Sequence, residues 1–138
     1  MLGVLDKDAK RLVRPVFEAS VSAGFPSPAD DFMEAALDLN EHLIANPPAT
    51  FFVRVAGDSM QDGGIYPGDI LIVDKSLVAR SGQVVIAQVN GDFLVKRLKQ
   101  IAGRTLLVAE NAKYEPLDVT NNPDFSVWGV VTNCIHRL

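Results

Sequence analysis

The chain has 138 residues, of which 48% are hydrophobic and 22% are charged, and its formal net charge at pH 7 is −4. This composition supports one modest folded domain with a short appendage and argues against global disorder. The negative net charge gives no reason to approach a phosphate backbone, so we expect no direct sequence-specific DNA binding, although a role in DNA metabolism through protein partners stays open.

Residues 1–28 read as an N-terminal arm that ends in Gly-Phe-Pro-Ser-Pro at 24–28. The two prolines favour an extended backbone and exclude a continuous helix or a central strand. A peptidase can bind such a segment through strand-like main-chain pairing, but this feature alone favours an ordinary linker. The arm lacks the apolar run of a secretory signal, and no stretch approaches the roughly 18 apolar residues of a membrane span. We therefore expect a cytoplasmic protein.

Residues 29–48 carry short helical patterns. Asp38 or Asn40 is suited to cap one or two helical turns that run to Ile44, and the proline pair at 47–48 ends them. We therefore expect a short helical connector between the arm and the rest of the chain.

From residue 49 the pattern changes to β. Val, Ile, Leu and aromatic residues fill six short runs, and Gly, Asp and Asn separate them. The predicted strands are 51–55, 70–74, 83–89, 92–98, 105–109 and 127–135. This spacing indicates a mostly β domain over residues 49–138, built as a compact and mostly antiparallel barrel or sandwich.

The dipeptide Asn90-Gly91 predicts a β-hairpin, because both positions of a two-residue type I′ turn need a positive φ. The resulting register pairs Val89 with Asp92, Ala87 with Leu94 and Val85 with Lys96. Side chains two apart share a face of a strand, so Lys96 is expected to lie among apolar neighbours on its own strand and on the facing one.

Two interpretations of Lys96 are open. Its stem can pack on the neighbouring leucines while the ammonium group reaches water. Alternatively, burial disfavours the cation and lowers the pKa of the amine from about 10.4 toward neutrality. A neutral lysine can take the proton of a serine hydroxyl and so activate it as a nucleophile.

Ser59 is the candidate nucleophile, because it follows Gly57-Asp58 directly after a predicted strand. A sharp turn there can direct backbone N–H groups toward an oxyanion. A turn serine that binds only its own backbone is the ordinary alternative. A Gly-x-Ser-x-Gly elbow is not present, since Ser59 is flanked by Asp58 and Met60.

Other chemistries have weaker support. One cysteine and two histidines cannot build a tetrahedral zinc site of the usual spacing, and no phosphate-binding loop is present, so we expect no metal or other cofactor. We expect surface or packing roles, without an acid partner, for His42 and His136. Trp128 and Cys134 lie in the last predicted strand and are expected to pack in a core or an interface.

Three motifs together resemble the catalytic domain of the LexA/UmuD-type self-cleaving peptidases. They are Gly-Asp-Ser-Met at 57–60, Gly-Asp-Ile-Leu-Ile-Val-Asp at 68–74 and Val-Lys-Arg-Leu at 95–98. The segment Ser-Ala-Gly-Phe-Pro-Ser-Pro at 22–28 resembles the self-cleavage site of the UmuD branch. LexA-type repressors place a winged helix-turn-helix domain before the cut, and the 23 residues before Gly24 are too few for one, which favours the UmuD branch.

The resemblance implies that Ser59 attacks the carbonyl of the Ala23–Gly24 bond, with Lys96 as general base. It implies an oxyanion hole formed by the backbone N–H groups of Asp58 and Ser59. It also implies stimulation by a RecA filament on single-stranded DNA during the SOS response. The product, residues 24–138, would form a homodimer that joins a Y-family, UmuC-like catalytic subunit in error-prone translesion synthesis.

One position departs from the family pattern. Relatives often carry threonine two residues before the lysine, and this chain has Leu94 there. The hydroxyl that can orient the amine is lost while desolvation increases, so we expect a more depressed pKa and a looser orientation of Lys96.

Three alternative functions stay open. The β domain could be a non-catalytic adaptor that binds a Y-family polymerase subunit and a sister chain, or a relative of LexA-like repressors. A signal-peptidase-like enzyme that acts in trans at a membrane would use the same Ser–Lys catalytic chemistry, but it requires a membrane anchor.

Overall fold

The computed structural model of the chain describes residues 3–4, 11–17 and 33–138. The chain divides into two units, one made of residues 1–5 and 46–138 and the other of residues 6–45. The predicted cleavage site, Ala23–Gly24, lies outside the described residues. The division into an arm over 1–28, a connector over 29–48 and a β domain over 49–138 stays a prediction.

The described elements are mostly strands. In chain order the strands are β1 (Gly3–Val4), β2 (Val13–Phe17), β3 (Met33–Asp38), β4 (Thr50–Arg54), β5 (Ile70–Asp74), β6 (Val84–Val89), β7 (Asp92–Ile101), β8 (Arg104–Val108), β9 (Leu117–Asp118) and β10 (Phe125–Ile135). One α-helix, α1 (Leu39–Leu43), and two 3-10 helices, Pro47–Ala49 and Gln61–Gly63, accompany them. Across the described ranges, none of the helices has the length and apolar character needed to cross a membrane.

The larger unit is an eight-stranded antiparallel sheet with the strand order β1-β4-β5-β10-β6-β7-β8-β9. The last strand, β10, therefore lies between β5 and β6 in the middle of the sheet. All six predicted strands are found, with ends displaced by three residues at most. The prediction of a mostly β, antiparallel fold is confirmed.

Strand β6 is packed on both faces, which explains why Gln88 is its only polar residue. Ile86 belongs to one buried cluster, with Val55, Met60, Ile65, Leu71 and Val73. Val85, Ala87 and Val89 belong to a second cluster, with Leu98, Leu107 and Val119. The sheet thus has a core on each side of its central strands.

The hairpin predicted from Asn90-Gly91 is confirmed. Asn90 has φ 50° and Gly91 has φ 88°, as a type I′ turn requires. The register pairs Val89 with Asp92, Ala87 with Leu94 and Val85 with Lys96. The turn dipeptide therefore fixes the face of β7 on which Lys96 lies.

In the smaller unit, β2 pairs with β3 and α1 follows β3 directly. Asp38 caps α1 by accepting the N–H of Asn40 at 3.0 Å, and Ile44 is the C-cap residue, as predicted. The expectation that residues 29–48 carry short helical patterns does not hold at β3, where Met33–Asp38 forms a strand. The composition of β3 favours a helix, but antiparallel pairing with β2 supplies backbone hydrogen bonds that outweigh this helix propensity.

We predict that Gly129→Ala destabilises the protein. Gly129 lies beside a register shift of β10 against β6, and an added Cβ would lie 2.5 Å from Cγ1 of Val73. Overpacking of this kind costs about 1–3 kcal/mol, which urea denaturation measures. Ser126→Ala, at an exposed position of the same strand, is the control and should change stability by less than about 0.5 kcal/mol. Equal midpoints for the two variants would contradict this account.

Candidate active site

Ser59 and Lys96 line the same cavity, which has a volume of about 520 Å³. Ser59 comes from the turn after β4, and Lys96 comes from the middle of β7. The other lining residues are Val53, Arg54, Val55, Ala56, Gly57, Leu71, Ile86, Phe93, Leu94, Val95 and Trp128. The two side chains selected from the sequence are therefore brought together in a mostly apolar cleft.

The turn that carries Ser59 is anchored by its next residue. Met60 is 1% exposed and belongs to the buried cluster around Leu71, while Ser59 itself is partly buried. The carbonyl of Met60 accepts the N–H groups of Gly63 and Ile65 at 3.0 and 3.2 Å. Burial of Met60 thus holds the hydroxyl of Ser59 at the cavity wall.

Lys96 is partly buried, and its environment is apolar as predicted. Its strand partner Val85 is fully buried, and Leu98, on the same face of β7, is 2% exposed. Burial lowers the pKa of Lys96 from the ordinary lysine value, because the cation loses solvation. The amine Nζ also lies 5.1 Å from the ring centre of Tyr114.

Asp58, next to Ser59, is held by residues that the sequence analysis missed. Its carboxylate accepts a hydrogen bond from Nζ of Lys113 at 2.7 Å and another from the hydroxyl of Tyr114 at 2.5 Å. The bond from Lys113 is the main reason that the pKa of Asp58 is lowered. The Asp58 carbonyl accepts Nδ2 of Asn111 at 2.9 Å. These partners lie more than 50 positions along the chain, and no local pattern signals such a contact.

An aromatic group forms one wall of the cavity. Trp128 packs on the buried cluster around Leu71, which confirms its predicted core role, and it also lines the cavity. Phe51 and Phe93 contact its ring at centroid distances of 5.1 and 5.9 Å. Phe93 is 58% exposed, so part of this wall faces solvent.

His136 has an acid partner, contrary to our expectation. Its Nδ1 lies 2.6 Å from Oδ1 of Asp69, a carboxylate that is 4% exposed. Cys134 donates to Oδ2 of the same residue at 3.3 Å, and burial raises the pKa of this thiol to about 11. The prediction failed because Asp69 precedes β5 and His136 follows β10, which only the sheet order makes neighbours. Neither Asp69 nor His136 is among the residues that line the cavity of Ser59 and Lys96.

Comparison with known proteins gives consistent matches. The family model described as Peptidase S24-like matches residues 15–132. Protein ImpA of Salmonella typhimurium is 42% identical over 133 residues, which cover 91% of this chain and 85% of that protein. Protein SamA of Salmonella typhimurium strain LT2 is 45% identical over 123 residues, with 89% and 85% covered. Protein MucA of Escherichia coli is 40% identical over 122 residues, with 88% and 83% covered.

We predict that Lys113→Met raises the pKa of Asp58 toward the ordinary value of 3.8, because the largest cause of its lowering is removed. A carboxylate titration followed by NMR measures the midpoint. Lys99→Met removes a lysine of β7 instead and should leave the Asp58 midpoint unchanged. An unaltered midpoint in Lys113→Met would show that the ion pair does not form in solution.

Proposed function

The chain belongs to the Peptidase S24-like family, as a member of the UmuD type, and from this premise we propose that it cuts its own Ala23–Gly24 bond with a Ser59–Lys96 dyad. Membership of this family supports a self-cleaving peptidase. The assignment of the dyad is supported by the cavity that both side chains line.

In the proposed reaction, neutral Lys96 takes the proton of the Ser59 hydroxyl while Oγ attacks the carbonyl carbon of Ala23. The lysine then donates this proton to the departing amine of Gly24, and the bond between Ala23 and Gly24 breaks. Water hydrolyses the resulting ester and frees the serine. The cycle consumes one water molecule and needs no metal or cofactor.

The developing oxyanion would be bound by the backbone N–H groups of Asp58 and Ser59. Among the residues that the structure describes, the Ser59 N–H has no carbonyl partner, which leaves it available. The Asp58 N–H contributes to lowering the pKa of its own carboxylate, so it lies close to that group. Asp58 would then have to share this donor with the substrate.

The observation that carries the proposal is the apolar setting of Lys96 in the cavity that Ser59 also lines. A lysine in water is almost fully protonated at pH 7 and cannot act as a base. The apolar neighbours of Lys96 lower its pKa, so a larger fraction of the amine is neutral. This is the requirement of a Ser–Lys dyad.

The biological role follows from the UmuD type. We propose a cytoplasmic protein whose cleavage is stimulated by a RecA filament on single-stranded DNA. The processed homodimer would then act as accessory subunit of a UmuC-like, Y-family polymerase in SOS mutagenesis. Such a role acts through protein partners, which fits the net charge of −4.

We predict that the purified protein cleaves itself faster as pH rises. The rate should increase tenfold per pH unit while Lys96 is mostly protonated, and it should level off below the ordinary lysine value of 10.5 because the pKa is lowered. Mass spectrometry should find a fragment that begins at Gly24.

Ser59→Ala and Lys96→Ala should each reduce this rate by at least about 1,000-fold. Ser81→Ala, at an exposed position outside the cavity, is the control. If no fragment forms at any pH, with or without a RecA filament, the proposal is wrong and a non-catalytic adaptor becomes the better interpretation. Full activity of Ser59→Ala would have the same consequence.

We further predict that Leu94→Thr moves the midpoint of the pH–rate profile to higher pH. Leu94 lines the cavity with Lys96, and a hydroxyl there favours the ammonium form through hydrogen bonding and reduced desolvation. Leu94→Val introduces a side chain with the shape of threonine but without the hydroxyl, so it should shift the midpoint less than Leu94→Thr does. A larger shift in the valine variant would contradict this reasoning.

A further inference from the structure

A segment outside the proposed dyad, residues 110–114, contacts both the turn of Ser59 and the strand of Lys96. The Glu110 carbonyl accepts the N–H of Asp62 at 2.8 Å, and its carboxylate forms an ion pair with Arg97, the neighbour of Lys96 on β7. Asn111 donates to the carbonyl of Asp58. Residues 110–114 thus connect the turn that carries Ser59 with the strand that carries Lys96.

Tyr114 makes both connections with one side chain. Its ring centre lies 5.1 Å from Nζ of Lys96, and its hydroxyl donates to Oδ1 of Asp58 at 2.5 Å. Asp58 directly precedes Ser59. The hydrogen bond is to a charged acceptor, which makes it stronger than a neutral one.

We propose that Tyr114 is a positioning residue, whose ring binds the ammonium form of Lys96 and whose hydroxyl holds the Ser59 turn through Asp58. This inference rests on the proposed function, in which Ser59 and Lys96 react with each other. Tyr114 does not exchange a proton or touch the scissile bond in this scheme.

The two contacts have different physical effects. The face of an aromatic ring attracts an ammonium ion but not a neutral amine, so the ring favours the protonated form of Lys96 and opposes the effect of burial. The hydroxyl bond instead restricts where Asp58, and therefore Ser59, can lie. The charged groups that face Tyr114 are Lys96, Asp58 and Lys113, whose Nζ lies 6.0 Å from the ring centre.

Two substitutions separate these effects. Tyr114→Phe keeps the ring and removes the hydroxyl, so the midpoint of the pH–rate profile should stay in place while the maximal rate falls roughly three- to tenfold. Tyr114→Leu removes both, so the maximal rate should also fall and the midpoint should move to lower pH by roughly half a unit. A residue that merely supports the fold would not move the midpoint.

Tyr66→Leu is the matched control, because Tyr66 contacts the ring of His136 and does not line the cavity. Its midpoint and maximal rate should equal those of the unaltered protein. The inference is overturned if the Tyr114 variants behave like Tyr66→Leu in both quantities.

A titration of Lys96 by NMR in the Ser59→Ala background gives a readout that needs no cleavage. Adding Tyr114→Leu should lower the midpoint of Lys96, and adding Tyr114→Phe should not. If the unaltered protein does not cleave, the proposed function fails while this titration still decides the contact with the ring. If Tyr114→Leu does not fold, the fall in maximal rate of Tyr114→Phe decides the role of the hydroxyl, and an unchanged rate overturns it.

Discussion

The site depends on holding one amine, that of Lys96, against an apolar face of the sheet. Lys96 pairs with buried Val85, and its neighbours on that face of β7 are Leu94 and Leu98. A shift of the hairpin by one residue would turn Lys96 away and bring Arg97 to that face. Arg97 forms an ion pair with Glu110, so the observed register gives Arg97 a carboxylate partner and leaves Lys96 on the apolar face. The register of one hairpin therefore decides which basic side chain is desolvated.

The placement of β10 gives this hairpin its support. Because β10 lies between β5 and β6, the last strand of the chain completes the middle of the sheet. It also carries Trp128 to the wall of the cavity. Its pairing shifts register once against β5 and once against β6, and Gly129 at the second shift leaves room for Val73. The cavity is therefore built from segments that span most of the larger unit.

Polar contacts between distant segments complete the arrangement. Asp58 is bound by residues 111, 113 and 114, and these contacts fix the turn next to the proposed nucleophile. Asp69 is bound by His136 and Cys134 and accepts the N–H of Tyr66 at 2.8 Å. Burial alone would raise the pKa of Asp69, but these hydrogen bonds outweigh it and the pKa is lowered. Asp58 thus holds the turn that carries Ser59, and Asp69 holds the turn that precedes β5.

The sequence by itself determined the local structure of the β domain. Apolar runs and the turn residues between them located six strands, and Asn90-Gly91 specified the hairpin register and the apolar face of Lys96. The motifs around Ser59 and Lys96 indicated the family that residues 15–132 match. These features are readable because each depends on residues close together in the chain.

The tertiary structure decided which remote segments meet. It placed β10 between β5 and β6, paired β3 with β2 against its helical composition, and brought Tyr114 to Asp58, 56 positions away. It also gave His136 a carboxylate partner 67 positions away. Strand order is selected by the total surface buried when the sheet assembles, and no local pattern carries that information.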